Sequence, residues 1–252
     1  MAGHSKWKNI QHRKGRQDAL KGKIFAKLAR EIYVAARSGD KDPANNHQLR
    51  LVIAKARSQN MPNENIERAI KKAAGGGEAE NFEAITYEGY GPGGTAVLVE
   101  ALTDNRNRTA ADIRHIFSKN GGNLGESGCV SWMFERKGIL VIDREQTDLD
   151  EEELMLMALE SGAEDMESLD NSYEITTLPE EFEAVKEALE KEGLSFSTAE
   201  VTFVPSNKVK IQGDDVRKVI RLIDALEDHD DVQNVYSNFE ADDEELAKVM
   251  DE

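Results

Sequence analysis

The spacing of apolar residues divides the chain into a helical first part and a mixed second part. Over residues 17–37, apolar side chains recur every four positions, which predicts an amphipathic helix. Shorter stripes of the same kind predict a second helix after Pro43 and a third over residues 63–72, before the glycine run at 75–77. Three short stripes favour a small helical bundle rather than a large core.

Beyond residue 81, segments typical of strands alternate with helical stripes. Residues 137–205 follow the order β-α-β-β-α-β, which is that of a ferredoxin-like unit. The flanking segments repeat this order when they are joined: strand 95–103, helix 106–119, strand 129–135, then strand 207–212, helix 214–227 and strand 231–237. The pattern therefore predicts one such unit inserted in another.

The predicted fold class is α+β, with an N-terminal three-helix domain followed by two ferredoxin-like α/β domains, one inserted in the other. Four segments follow: a basic arm and helical domain (1–75), an α/β domain (82–136 plus 206–240), the inserted domain (137–205) and an acidic tail (241–252). The glycine-rich loop YEGYGPGGT lacks the Lys-Ser/Thr of a phosphate-binding P-loop, so we interpret Gly91-Pro92-Gly93-Gly94 as a tight hairpin.

Charge is distributed very unevenly along the chain. The formal net charge is −17, yet residues 1–72 hold 17 Lys/Arg against 6 Asp/Glu, a net of +11. Residues 73–252 hold 15 Lys/Arg against 43 Asp/Glu, a net of −28. This asymmetry favours a polyanion-binding module attached to a body that repels polyanions.

The first 30 residues interleave cations with amides and an aromatic ring, as phosphate binding with base stacking requires. Little apolar periodicity precedes Gln17, so we expect this arm not to pack in isolation. The candidate nucleic-acid-binding residues of the arm and first helix are Lys6, Trp7, Lys8, His12, Arg13, Lys14, Arg16, Lys21, Lys23, Lys27 and Arg30.

A second candidate cluster lies at a predicted strand-to-helix turn, where Arg106 and Arg108 could meet an anion. The alternative is that these two arginines pair with acids of neighbouring domains. The residue pattern leaves both interpretations open.

Other function classes find little support in the chain. A single cysteine, Cys129, excludes an internal disulfide and favours a reducing cytoplasm, although a basic, acid-poor start is also a feature of mitochondrial presequences. The five histidines show no metal-ligand spacing, and no apolar run approaches the roughly 20 residues of a membrane span. We therefore predict no catalytic residue, no cofactor, no metal site, no small-molecule substrate and no membrane partner.

Several long motifs carry a family resemblance: GHSKWKNIQHRKGRQDALKGKIF, NMPNENIERAIKK, YEGYGPGG, TDNRNRT and VSWMFERKG. In these the chain resembles the YebC/PmpR family, whose mitochondrial relatives are translational activators of a cytochrome oxidase subunit. The resemblance implies an N-terminal helical domain followed by two α/β domains, and no enzymatic activity. It also implies a DNA-binding transcriptional regulator of the cytoplasm, while other family members are linked to the ribosome and to elongation.

We therefore predict a non-enzymatic, nucleic-acid-binding regulator of gene expression, of the transcriptional kind. The alternative is a translation factor that binds ribosomal or messenger RNA and eases elongation, which a basic arm on an acidic body suits. A third possibility, an enzyme on an acidic scaffold, has only abundant carboxylates in its favour.

Overall fold

The computed structural model describes Trp7 and residues 21–75, 81–169 and 171–250. Within these ranges the chain forms eight α-helices: α1 (Lys21–Ser38), α2 (His47–Ser58), α3 (Asn63–Ala74), α4 (Arg106–Lys119), α5 (Glu151–Glu160), α6 (Phe182–Lys191), α7 (Asp214–Asp228) and α8 (Asp243–Met250). Within the same ranges the strands are β1 (Glu83–Tyr90), β2 (Ala96–Thr103), β3 (Asn123–Leu124), β4 (Phe134–Asp143), β5 (Asp165–Ser168), β6 (Ser172–Thr177), β7 (Thr198–Pro205), β8 (Val209–Lys210), β9 (Val232–Ser237) and β10 (Phe239–Glu240). None of the described helices is long and apolar enough to cross a membrane.

Helices α1, α2 and α3 form the predicted N-terminal helical domain around a small apolar core. Leu28, Ile32, Leu49 and Ile66 are nearly inaccessible there, and burying each such side chain contributes about 1.5–3 kcal/mol. The side chain of Asn46 starts α2 by accepting a hydrogen bond from the N–H of Leu49 at 3.0 Å. The predicted helical domain is confirmed.

The inserted unit has the predicted β-α-β-β-α-β order. Its sheet runs β5-β6-β4-β7 with every neighbouring pair antiparallel, and α5 and α6 supply buried side chains to the core of this unit, which is the ferredoxin-like arrangement. Leu140 and Ile175 on the strands meet Leu154 and Val185 on the two helices. The predicted α+β class is thus confirmed.

The surrounding unit differs from the predicted strand list. Its sheet runs β3-β1-β2-β9, so that the hairpin of β1 and β2 forms the centre, and α4 and α7 pack Phe117 and Ile223 against it. The predicted strand 129–135 is wrong: Ser131–Met133 form a 3₁₀ turn, and the strand that begins at Phe134 joins the sheet of the inserted unit.

A buried carboxylate explains why residues 128–131 do not form a strand. Glu88 on β1 is 6% exposed and accepts hydrogen bonds from the N–H groups of Gly128, Val130 and Ser131 at 2.7–2.8 Å. Burial alone would raise the pKa of Glu88, but these backbone donors lower it below its ordinary value. Because one side chain takes up three backbone donors, they are lost to a strand ladder.

The GPGG segment is the hairpin that the sequence predicts. It joins β1 to β2 through a 3₁₀ turn at Pro92–Gly94, and Gly91 donates its N–H to the carbonyl of Thr95 at 2.7 Å. Gly93 has a φ of 69°, and a β-carbon there would lie 2.7 Å from the side chain of Ile211. Glycine is therefore required for both its backbone conformation and its size.

A candidate nucleic-acid interface

The predicted nucleic-acid-binding residues fall into two groups. Lys6, Lys8, His12, Arg13, Lys14 and Arg16 lie outside the described residues, and their assignment stays a prediction. The structure describes the other seven: Trp7, Lys21, Lys23, Lys27, Arg30, Arg106 and Arg108. Lys21 is the first residue of α1 and is exposed.

Trp7 corrects the expectation that the residues before Gln17 do not pack. Its side chain is 1% exposed and belongs to the apolar core that α4, α7 and β2 enclose. The indole N–H donates to Asp224 Oδ1 at 3.2 Å, which provides the partner that a buried tryptophan needs. Burial against the α/β core leaves no ring face for a nucleobase, so Trp7 anchors the arm instead of stacking a base.

Three cations on one face of α1 contact the C-terminal end of α7 and the turn that follows it. Lys23, Lys27 and Arg30 form this cationic face, and residues 227–231 form the acidic turn. Lys23 Nζ lies 2.5 Å from Asp228 Oδ1, and Lys27 Nζ donates to the carbonyl of Glu227 at 2.5 Å. The hydrogen bond to Asp228 raises the pKa of Lys23, whereas burial lowers the pKa of Lys27.

Arg30 makes the most extensive contact of the cationic face. Its Nη1 donates to Asp231 Oδ1 at 2.9 Å, to the carbonyl of Leu102 at 2.9 Å and to the carbonyl of Asp230 at 3.2 Å. The guanidinium also lies 4.8 Å from the centroid of the Phe82 ring. Arg30 therefore ties the helical domain to the α/β body at several points.

The carboxylate of Asp231 accepts hydrogen bonds from both the helical domain and the α/β domain. The Asp231 side chain is 6% exposed. Besides the bond from Arg30, its Oδ2 accepts from Thr109 at 2.7 Å and from Arg108 at 3.1 Å. Burial would raise the pKa of Asp231, but these hydrogen bonds hold it below its ordinary value. Asp231 is therefore a charged junction between α1 and α4.

The two arginines of the second cluster pair with acids, but these acids lie in the same α/β domain as the arginines and not in a neighbouring domain, as the alternative interpretation had it. Arg106 lies 3.1 Å from Glu83 on β1, and Arg108 lies 2.7 Å from Asp104 as well as contacting Asp231. Both arginine side chains keep about half or more of their surface exposed, at 67% and 48%. They remain within reach of a phosphate, and their role in binding stays a prediction.

The sequence analysis predicted neither the role of Asp231 as an acceptor nor the burial of Trp7 in the α/β core. The only local signal for Asp231 is the acidic run EDHDD, which describes a solvated helix end equally well. Arg30 and Asp231 are 201 positions apart, so no periodicity connects them. Among the described residues, no three His, Cys, Asp or Glu side chains are grouped so as to hold a metal ion.

Comparison with known proteins places the chain in a family. Residues 5–76 match the N-terminal domain of the TACO1/YebC proteins, and residues 82–239 match their second and third domains. The chain belongs to the TACO1/YebC family. Both matches follow the division into a helical part and an α/β part that the fold displays.

Relatives and a solved structure extend the likeness over nearly the whole chain. A "probable transcriptional regulatory protein" of Geobacillus kaustophilus is 64% identical over 240 residues, covering 95% of this chain and 98% of its own. One of the same name from Halothermothrix orenii is 56% identical over 253 residues and the full length of both chains. The crystal structure of a conserved hypothetical protein from Aquifex aeolicus is 51% identical, with a TM-score of 0.78, covering 90% of this chain and 93% of its own.

Proposed function

We propose that this member of the TACO1/YebC family is a non-enzymatic transcriptional regulator that binds DNA in the cytoplasm. The observation that carries the proposal is near-full-length identity of 56–64% to relatives named probable transcriptional regulatory proteins. The +11 charge of residues 1–72 supports it, because cations that neutralise phosphates supply most of the affinity for nucleic acid.

The proposed contact surface begins with the arm cations Lys6, Lys8, Arg13, Lys14 and Arg16, continues to Lys21, and has Arg106 and Arg108 as a second point. Trp7 fixes the arm to the α/β body through its burial and its bond to Asp224.

Within this proposal, the acidic turn competes with phosphate for the cationic face. Its carboxylates and carbonyls meet Lys23, Lys27 and Arg30 in the way that phosphate oxygens would. The Lys23–Asp228 pair is about half exposed on both sides, so exchanging it for a phosphate costs little. The buried Arg30–Asp231 pair is the part that resists exchange.

The nature of the nucleic acid is tested by crosslinking the protein in living cells and sequencing both the DNA and the RNA that it carries. The proposal predicts enrichment of promoter DNA. Enrichment of ribosomal RNA in its place would contradict the DNA-binding proposal and support an RNA-binding translation factor.

A further inference from the structure

A groove runs along the helical domain where it faces the start of β1. It encloses about 570 Å³ and is lined by two faces of different chemistry. Its apolar side is formed by Phe25, Ala29 and Tyr33 of α1 together with Phe82, and its charged side by Arg68 and Lys72 of α3. We call this feature the aromatic groove.

The rings of the aromatic groove are held in place by their neighbours. Tyr33 and Phe82 meet edge to face, with centroids 6.0 Å apart and planes at 83°. Arg30 lies over Phe82, and the ammonium of Lys72 is 5.6 Å from the centroid of Tyr33. Phe25 is only partly buried on the same wall and offers aromatic surface to the groove.

The charge of the groove is opposite to that of the molecule. Among the described residues, Arg30, Arg68 and Lys72 line it together with one carboxylate, Asp104, in a chain of net charge −17. Arg68 pairs with Glu64 in full solvent, with side chains 69% and 82% exposed, and such a pair exchanges readily for another anion. The groove therefore favours an anionic ligand with an apolar, planar part.

Asn65 adds the polar group that recognition of a planar heterocycle requires. It lies in the lining of the groove and carries both a donor and an acceptor on its amide. Bases in single strands are bound by stacking on aromatic rings and by hydrogen bonds to their edges, with cations on the adjacent phosphates. The volume falls within the range of small-ligand sites and accommodates one nucleotide.

We propose that the aromatic groove binds an unpaired nucleobase and its flanking phosphates, so that the protein distinguishes single-stranded or locally opened nucleic acid from closed duplex. This inference rests on the proposed function, since it names the nucleic-acid form that the same protein binds. The base lies against Phe25 and Ala29, Asn65 contacts its edge, and Arg68 and Lys72 neutralise the phosphates.

The test measures the affinity of the full-length protein for a short single-stranded oligonucleotide and for its closed duplex. Phe25→Leu keeps apolar volume but removes the ring, and we expect it to weaken single-strand binding about tenfold while leaving duplex binding unchanged. Phe25→Tyr restores the ring and is expected to restore binding, which separates stacking from an effect on folding. Lys72→Gln is compared with Lys71→Gln, which removes the same charge outside the groove lining; only the first should selectively weaken single-strand binding.

A photocrosslink locates the base directly. An oligonucleotide that carries one 5-iodouracil is irradiated on the wild-type protein, and the modified peptide should contain Phe25, Tyr33 or Phe82. If Phe25→Leu binds the single strand like the wild type and the crosslink maps elsewhere, the groove is not a base site, while the proposed function stands. If the wild type binds neither single strand nor duplex, the proposed function itself is contradicted.

Discussion

At the scale of single residues, Asp231 is a buried carboxylate that binds Arg30 of the helical domain as well as side chains of its own α/β body. Replacing it by Asn removes a buried negative charge that serves Arg30, Arg108 and Thr109. We expect Asp231→Asn to lower the free energy of unfolding by about 2 kcal/mol or more, because two arginines lose a charged acceptor. Urea unfolding measures this, and Asp230→Asn, on an exposed neighbour that offers Arg30 only its carbonyl, should change little.

The same residue predicts a dependence of stability on pH. The pKa of Asp231 is lower in the folded protein than its ordinary value of about 3.9, so its contribution is present above that pH and is lost as the pH falls through the folded pKa. The stability difference between wild type and Asp231→Asn should therefore be largest near neutral pH and shrink in acid. A difference that is constant down to pH 2 would contradict this role.

Trp7 gives a spectroscopic test of its own placement. The chain has two tryptophans, of which Trp7 is 1% and Trp132 is 69% exposed. We expect Trp132→Phe, which leaves Trp7, to emit at shorter wavelength and to resist acrylamide quenching. Trp7→Phe should leave a red-shifted, readily quenched emission. The opposite assignment would show that the arm is not anchored in the α/β core.

At the scale of elements, we expect removal of a carboxylate from the acidic turn to make the cationic face of α1 more available to nucleic acid. Asp228→Asn frees Lys23 from its partner, and an exposed ion pair is worth at most about 1 kcal/mol. We therefore expect nucleic-acid affinity to rise up to about fivefold at moderate salt. Asp148→Asn removes the same charge from an exposed site in the inserted unit. Equal gains in both variants would mean that overall charge, not the acidic turn, limits binding.

Helices with long, regular apolar stripes could be predicted from the sequence. Short, irregular segments could not. The stripes of α1, α4 and α7 identify their core faces without any knowledge of what they meet. The segment GCVSWMFE alternates much as a strand does, yet Glu88, 40 and more positions earlier, takes its N–H groups. Local pattern cannot report such a distant acceptor.

At the scale of the whole molecule, the sequence shows the charge asymmetry directly. Which of the cations are available to a nucleic acid can be predicted from the sequence only in part. The count of +11 against −28 identifies a cationic module. It does not show that Lys23, Lys27 and Arg30 contact the acidic turn of the body, because those contacts join residues about 200 positions apart. Contacts of this kind depend on how two folded parts meet, which no periodicity encodes.

Within the proposed function, the arm cations make the main contact with the phosphates of the nucleic acid, and the acidic body apart from Arg106 and Arg108 stays away from them. The most direct measurement is the salt dependence of nucleic-acid affinity for the wild type and for the fourfold variant Lys6→Ala, Arg13→Ala, Lys14→Ala and Arg16→Ala. If about six phosphates are neutralised, the logarithm of the binding constant falls with the logarithm of salt concentration at a slope near −5. Losing four contacts should reduce that slope to about −2.

A matched control removes four cations from the body instead. Lys186→Ala, Lys191→Ala, Lys210→Ala and Lys248→Ala together change the net charge by the same amount, and three of these lysines form ion pairs that are at least partly exposed. We expect this control to keep a slope near −5, whereas the slope of the arm variant becomes shallow. An arm variant whose slope and affinity equal those of the wild type would contradict this expectation.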